Sequence, residues 1–232
     1  MLRTRCNRFD QGDIVSKPKS RLIEVNPLTA NQSSVFTAFS RGEHVICSGS
    51  AGTGKTFIAL YLSMKLIYSQ RTPIDHLVIV RSAVPTRDMG FLPGSIGEKN
   101  AVYEEPYANI IDEIHGQPFS YEALSKNDTI HFQTTSFLRG LTWDNCVVIL
   151  DEAQNMSFHE INSVVTRLGE NSRLIICGDR TQTDLCNNGF EKLLHVCQWM
   201  DDITIVNFTC EDIVRSDFVK RWIIACEEAN VL

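Results

Sequence analysis

Gly49-Ser50-Ala51-Gly52-Thr53-Gly54-Lys55-Thr56 decides how the rest of this 232-residue chain is read. It follows the pattern G-x-x-x-x-G-K-[ST], a loop built to hold phosphates. A triphosphate carries dense negative charge and needs many donors at close range. Glycines let the backbone wrap with its N–H groups pointing inward, free of side-chain clash. The run His44-Val45-Ile46-Cys47-Ser48 reads as a buried strand entering the loop, and Phe57 to Ser69 as the helix leaving it. The N-terminus of that helix adds a partial positive charge at the phosphates. The residues from Gly49 to Thr56, including Ser50, Ala51, Gly52, Thr53 and Gly54, are therefore expected to cradle a nucleoside triphosphate. Lys55 is expected to reach the β- and γ-phosphates, and the Thr56 hydroxyl to take a position on Mg2+. A plain glycine-rich turn is the alternative, and the flanking strand and helix speak against it.

Composition sets the outer bounds. At 43% hydrophobic and 22% charged residues, the chain is an ordinary globular one, long enough for one large domain or two small ones. No apolar run approaches the roughly 20 residues of a membrane span, and the first residues lack a signal-peptide core. The eight cysteines are scattered with no C-x-x-C pair, and Cys47, Cys146 and Cys177 fall in apolar strand-like runs. Free buried thiols in a reducing cytoplasm fit this pattern better than disulfides or zinc. Cys186, His195 and Cys197 form at most an incomplete metal set. The net charge of −6 argues against a surface that is basic throughout, but residues 1–21 carry a local excess of +4. Such an arm either touches phosphate backbones or is a solvated tail.

Along the chain, residues 1–25 lack helical periodicity and read as an extended, basic lead-in to a domain spanning 26–232. Asn26 or Thr29 caps a helix to about Phe39. Beyond the phosphate loop, strand-like runs recur at His76–Arg81, Thr129–Gln133, Cys146–Leu150, Arg173–Cys177 and Ile203–Asn207. Most are apolar at consecutive positions, as strands buried on both faces should be. Helical stretches at Phe158–Leu168, Phe190–Trp199 and Asp212–Glu228 separate several of them. This alternation predicts an α/β fold with a mainly parallel sheet covered by helices on both faces. Residues 85–127 are the exception, an insertion punctuated by proline and glycine. Its Phe91, Lys99, Tyr103 and Tyr107 suit stacking on single-stranded bases, or packing against the domain or a neighbouring subunit.

Val147-Val148-Ile149-Leu150-Asp151-Glu152-Ala153-Gln154 is an apolar strand ending in two acids. In open α/β sheets chemistry sits at the carboxyl ends of strands, which predicts both acids beside the phosphate loop. Asp151 is expected to hold Mg2+, directly or through water, and Glu152 to orient and polarise an attacking water. In Cys177-Gly178-Asp179-Arg180-Thr181-Gln182, Gln182 is placed to hydrogen-bond the γ-phosphate or that water.

The order of phosphate loop, ILDEAQN and CGDRTQTDL resembles the first motor domain of superfamily 1 helicases. The resemblance sharpens to the PhoH-like proteins through Arg81-Ser82-Ala83-Val84-Pro85, Gly90-Phe91-Leu92-Pro93-Gly94, Glu98-Lys99, Leu138-Arg139-Gly140-Leu141-Thr142 and Glu211-Asp212-Ile213-Val214-Arg215. It covers residues 27 to about 230. It implies a three-layer RecA-like P-loop NTPase core, cytoplasmic, often a hexameric ring, acting with ATP and Mg2+ and with RNA-related activity. It also implies that Gln32 reads adenine. Some relatives carry an N-terminal nuclease domain, and about 26 residues before the core do not hold one. Superfamily 1 helicases complete the ATP site with a second motor domain, and none is expected in this sequence. An arginine from a neighbouring copy is then expected to stabilise the transition state, with Arg215 the first candidate and Arg139 and Arg81 next.

The function expected from these readings is ATP hydrolysis coupled to RNA or single-stranded nucleic acid, by a homo-oligomer. A nucleotide-dependent switch for a protein partner is the alternative. A small-molecule kinase is a weaker one, because the acid pair favours hydrolysis and an arginine-rich lid is missing.

Overall fold

The computed structural model describes residues 22–69, 71–82, 96–138, 140, 142–180 and 189–229. Six strands carry the fold: β1 (His44–Gly49), β2 (His76–Arg81), β3 (Ile130–Thr134), β4 (Cys146–Asp151), β5 (Arg173–Gly178) and β6 (Ile203–Phe208). They form one sheet in the order β3-β2-β4-β5-β1-β6, and each pairing is parallel. Valine and isoleucine dominate the central strands, where branched side chains pack well on a pleated surface. Successive residues of a strand face opposite sides. In β4, Val147 and Ile149 therefore join one core, while Cys146, Val148 and Leu150 join the other. That two-sided packing explains why all six residues of β4 are buried, and why no polar alternation is visible in its sequence.

Helices α1 (Ala30–Ser40), α2 (Lys55–Ile67), α3 (Ile96–His115) and α4 (Ser120–Lys126) cover the first face. Helices α5 (Phe158–Val165) and α6 (Gly189–Cys197) cover the second. The result is the expected three-layer α/β architecture of a RecA-like P-loop core. Local caps fix several boundaries. Thr29 accepts from the Gln32 N–H at the start of α1, and Ser157 and Glu160 form a reciprocal capping box on α5. Helix α7 is shorter than the sequence suggests, Asp217–Glu228, because a 3-10 turn at Cys210–Asp212 precedes its Ser216 cap.

The stretch 85–127 departs most from its sequence reading. From residue 96 it is mainly helical, and α3 runs through Pro106 despite the lost backbone donor. Tyr107, Ile111 and Ile114, spaced by four and three residues, are all buried against the sheet, and this stripe holds the helix together across the proline. Tyr107 is consequently not a base-stacking residue. The side chains of Phe91 and Lys99 lie outside the described residues, as do residues 1–21. Residues 22–25 are fastened to the domain: the Ile23 N–H donates to the Ile114 carbonyl at 2.9 Å, and Leu22 and Val25 pack on the core. Among the described residues no helix is long and apolar enough to cross a membrane.

Candidate nucleotide-binding site

All six strands end at one edge of the sheet, and the strand order sets what meets there. β5 lies between β1 and β4, so the phosphate loop after β1 and the acids after β4 stand one strand apart. Gly49 closes β1 in register with Phe208 of β6, at a φ of +140°. A Cβ at Gly49 would lie 2.0 Å from the Phe208 carbonyl oxygen, so the turn requires glycine. Gly54 then caps α2 in the left-handed region and offers no side-chain hydrogen bond to the helix. The first-turn N–H groups of α2 are left without a side-chain cap and are free to receive an anion.

The Lys55 ammonium donates to the carbonyls of Gly49 and Ser50, each at 2.7 Å, and so spans the loop it belongs to. The neighbouring Thr56 hydroxyl donates to Asp151 Oδ1 at 3.0 Å. Two segments nearly a hundred residues apart in sequence thus converge on one pocket of about 490 Å³. Asp151 is 4% exposed, and its second oxygen, Oδ2, accepts from the Tyr107 hydroxyl at 2.9 Å. Burial pushes the Asp151 carboxyl above the usual range, with the Glu152 charge adding to it. The hydroxyls of Tyr107 and Thr56 and the Arg81 charge pull the other way. A buried carboxylate beside a hydroxyl, both oxygen donors, is the ligand set a small hard cation takes, and Mg2+ fits these residues.

Glu152 sits in the left-handed region at φ 54°, ψ 41°, uncommon for a residue with a side chain. Gln154 holds it: Gln154 Nε2 donates to Glu152 Oε2 at 2.6 Å, while Gln154 Oε1 accepts from the Asp179 N–H at 3.0 Å. The backbone donor fixes which way this amide points. In the sequence Gln154 stands only as part of a motif, and its two-residue offset from Glu152 is the one signal of this role.

At the other end, Gln32 is 4% exposed and lines the same pocket. Its Oε1 accepts from the Leu28 N–H at 2.7 Å and its Nε2 donates to the Thr53 carbonyl at 3.0 Å. Arg215 also lines the pocket of its own chain. The Val214 N–H donates to the Gly52 carbonyl at 3.1 Å, and a Cβ on Gly52 would come within 3.3 Å of Arg215 Cδ. Arg81, another arginine considered for a neighbouring site, has its guanidinium 5.6 Å from the centre of the Tyr103 ring in the same chain. Gln182, Arg139 and Cys186 lie outside the described residues. His195 is exposed and Cys197 buried on α6, and the described residues hold no group of three metal-ligating side chains.

A parallel sheet with a glycine-rich loop, a threonine on an acid and a second acid alongside defines the nucleotide-binding core of a P-loop NTPase. The family profile described as PhoH-like protein matches residues 24–227, and the chain belongs to that family. It is 31% identical over 222 residues to a PhoH-like protein of Bacillus subtilis, covering 94% of this chain and 68% of that one. Against a PhoH-like protein of Synechocystis the identity is 31% over 210 residues, covering 89% and 63%. Against Protein PhoH of Escherichia coli K12 it is 34% over 182 residues, covering 76% and 51%. The chain thus spans between about half and two thirds of the length of these relatives. Among solved structures, the large terminase of a thermophilic bacteriophage in complex with ADP aligns with a TM-score of 0.53 at 13% identity. That alignment covers 85% of this chain and 49% of the terminase, and it bears on the fold alone.

Proposed function

We propose that the protein hydrolyses ATP with Mg2+. The observation that carries this reading is the 3.0 Å contact between the Thr56 hydroxyl and Asp151 Oδ1, formed beside Lys55 at the uncapped start of α2. The backbone of Gly49 to Thr56 and the Lys55 ammonium bind and orient the phosphates, and Gln32 holds the base. Thr56 and Asp151 would hold Mg2+, which would supply positive charge to offset that of the phosphates. Glu152, fixed by Gln154, orients the attacking water and takes its proton. Arg215, packed on its own phosphate loop, meets the charge that develops on the transferred group. Gln182, whose role rests on its motif alone, is assigned to the γ-phosphate or the water. Arg215 lines the pocket of its own chain, which supports a role in cis, and supply of the arginine by a neighbouring copy is the alternative that mixing of variants tests.

Lys55→Ala is expected to abolish nucleotide binding or turnover, and Glu152→Gln to bind ATP yet stall hydrolysis. Wild-type turnover in the glutamine variant would remove Glu152 from its role. The family resemblance further supports a cytoplasmic homo-oligomer, a hexameric ring, acting on RNA or single-stranded nucleic acid. ATPase rates measured with and without single-stranded RNA, at several salt and protein concentrations, test this. Stimulation that weakens steeply with salt is expected, and rates indifferent to RNA would favour a protein switch.

A further inference from the structure

Helix α3 reaches the metal-facing carboxylate through a residue that no motif marks. Tyr107 is 1% exposed, and its ring packs 5.8 Å from that of Phe132 on β3. A phenylalanine would fill that space equally well. The hydroxyl, however, is aimed at Asp151 Oδ2 at 2.9 Å, while the Thr56 hydroxyl holds Oδ1 at 3.0 Å. A carboxylate held at one oxygen still turns about its Cβ–Cγ bond. Held at both, by donors from two helices, its plane is set. One turn earlier on α3, Tyr103 lies against Arg81, which is the register partner of Asp151 in the neighbouring strand. Tyrosines four residues apart on one helix thus grip two adjacent strand ends. A phenol carries its proton at neutral pH, so the Tyr107 hydroxyl is a donor to this oxygen.

We propose that Tyr107 is a positioning residue that acts through Asp151, setting the plane in which this carboxylate meets Mg2+. The proposal rests on the Mg2+–ATP reading above. It makes α3, part of the 85–127 insertion, the element through which that insertion is mechanically tied to the metal site. Groups that hold a metal ligand in place affect metal affinity or activity by about 10- to 100-fold.

The test uses the full chain and a fluorescent ATP analogue, titrated with Mg2+ and separately in EDTA. Tyr107→Phe keeps the ring and removes one hydroxyl. It is expected to raise the Mg2+ concentration for half-maximal binding about 10- to 100-fold, with binding in EDTA unchanged. Tyr103→Phe, which retains the ring against Arg81, is expected to titrate as wild type. In an Asp151→Asn background, Tyr107→Phe should add no further loss. Superimposable Mg2+ titrations of wild type and Tyr107→Phe would overturn the proposal while leaving the ATPase reading intact, as would an equal loss in both backgrounds. Wild-type binding that is indifferent to Mg2+, or undiminished by Lys55→Ala, would overturn the ATPase reading and this proposal with it.

Discussion

Replacing Gln32 by alanine tests the base-binding end of the pocket through a quantity that general loosening does not move. The Gln32 amide is oriented by the chain itself, with Leu28 N–H on Oε1 at 2.7 Å and the Thr53 carbonyl on Nε2 at 3.0 Å. An amide oxygen has two lone pairs and an amide nitrogen two hydrogens, so each atom keeps one valence beside the other. Adenine offers the complement, the N6 amine and the N7 acceptor, whereas guanine shows two acceptors on the same edge. Two hydrogen bonds at about 0.5–1.5 kcal/mol each give about 1–3 kcal/mol. That corresponds to roughly 5- to 150-fold in affinity. Competition against a fluorescent nucleotide gives Kd for ATP and for GTP in the variant and in wild type. Gln32→Ala also removes the Leu28 and Thr53 bonds, which loosens the segment for both nucleotides alike, and the readout is therefore the ratio. The preference for ATP over GTP is expected to collapse by the factor above. An unchanged ratio, with both affinities reduced together, would show that Gln32 only braces the loop.

The remaining predictions concern stability and turnover. Gly49→Ala places a Cβ 2.0 Å from a backbone oxygen that no rotamer relieves, at a φ of +140°, and is expected to cost about 3 kcal/mol or more in urea unfolding. A loss below about 0.5 kcal/mol would contradict the β1–β6 register. Gln154→Leu leaves Glu152 and the Asp179 N–H without their shared partner, and is expected to lower kcat about 10-fold or more while ATP affinity holds. A matching fall in affinity would mean that it disturbs binding instead. Arg215→Ala is expected to slow turnover by about 10³-fold, and mixing it with Lys55→Ala protein should restore nothing. Recovery on mixing would place the arginine in trans. Burial alone would lower the His76 imidazole, but Asp75 at 2.6 Å and Cys146 push it up to about 9. Its contribution to stability is therefore complete below pH about 6.5 and lost as pH rises through about 9. The destabilisation caused by His76→Gln should shrink between pH 6 and pH 9.5, and a pH-independent difference would remove His76 from this role.

The parts of the site that are legible in sequence are those whose chemistry is local. The phosphate loop needs glycines at fixed spacing, and β4 needs a two-sided apolar run before its acids. Both features survive in one dimension, and the residues they mark stand within hydrogen-bond reach of each other. For Tyr107 the sequence leaves base stacking and packing against the domain both open, because proline and glycine around it mask the helical stripe formed with Ile111 and Ile114. Its partner, Asp151, lies 44 residues away, and no local pattern announces a bond of that span. β4 ends one residue later than its sequence suggests for a related reason. Asp151 is buried by α2 and α3, so a charged residue completes a strand whose apolar run closes at Leu150.

The placement of Arg215 follows from the same long-range fastening. The Asp212 carboxylate accepts from Asn31 Nδ2 at 2.7 Å and from the Thr209 N–H at 2.9 Å, which ties the segment after β6 to the start of α1. Two residues later the Val214 N–H closes on the Gly52 carbonyl at 3.1 Å. Residues 212–214, which lead into Arg215, are thus pinned at one end to the helix that holds Gln32 and at the other to the phosphate loop. These attachments draw Asp212 below the usual carboxylate range against the opposing effect of burial, so it remains a charged acceptor at neutral pH. Arg215 follows this anchored segment directly, exposed, with its side-chain stem against Gly52 of its own phosphate loop. This placement supports the proposed role of Arg215 in its own site, which the mixing of Arg215→Ala with Lys55→Ala protein tests.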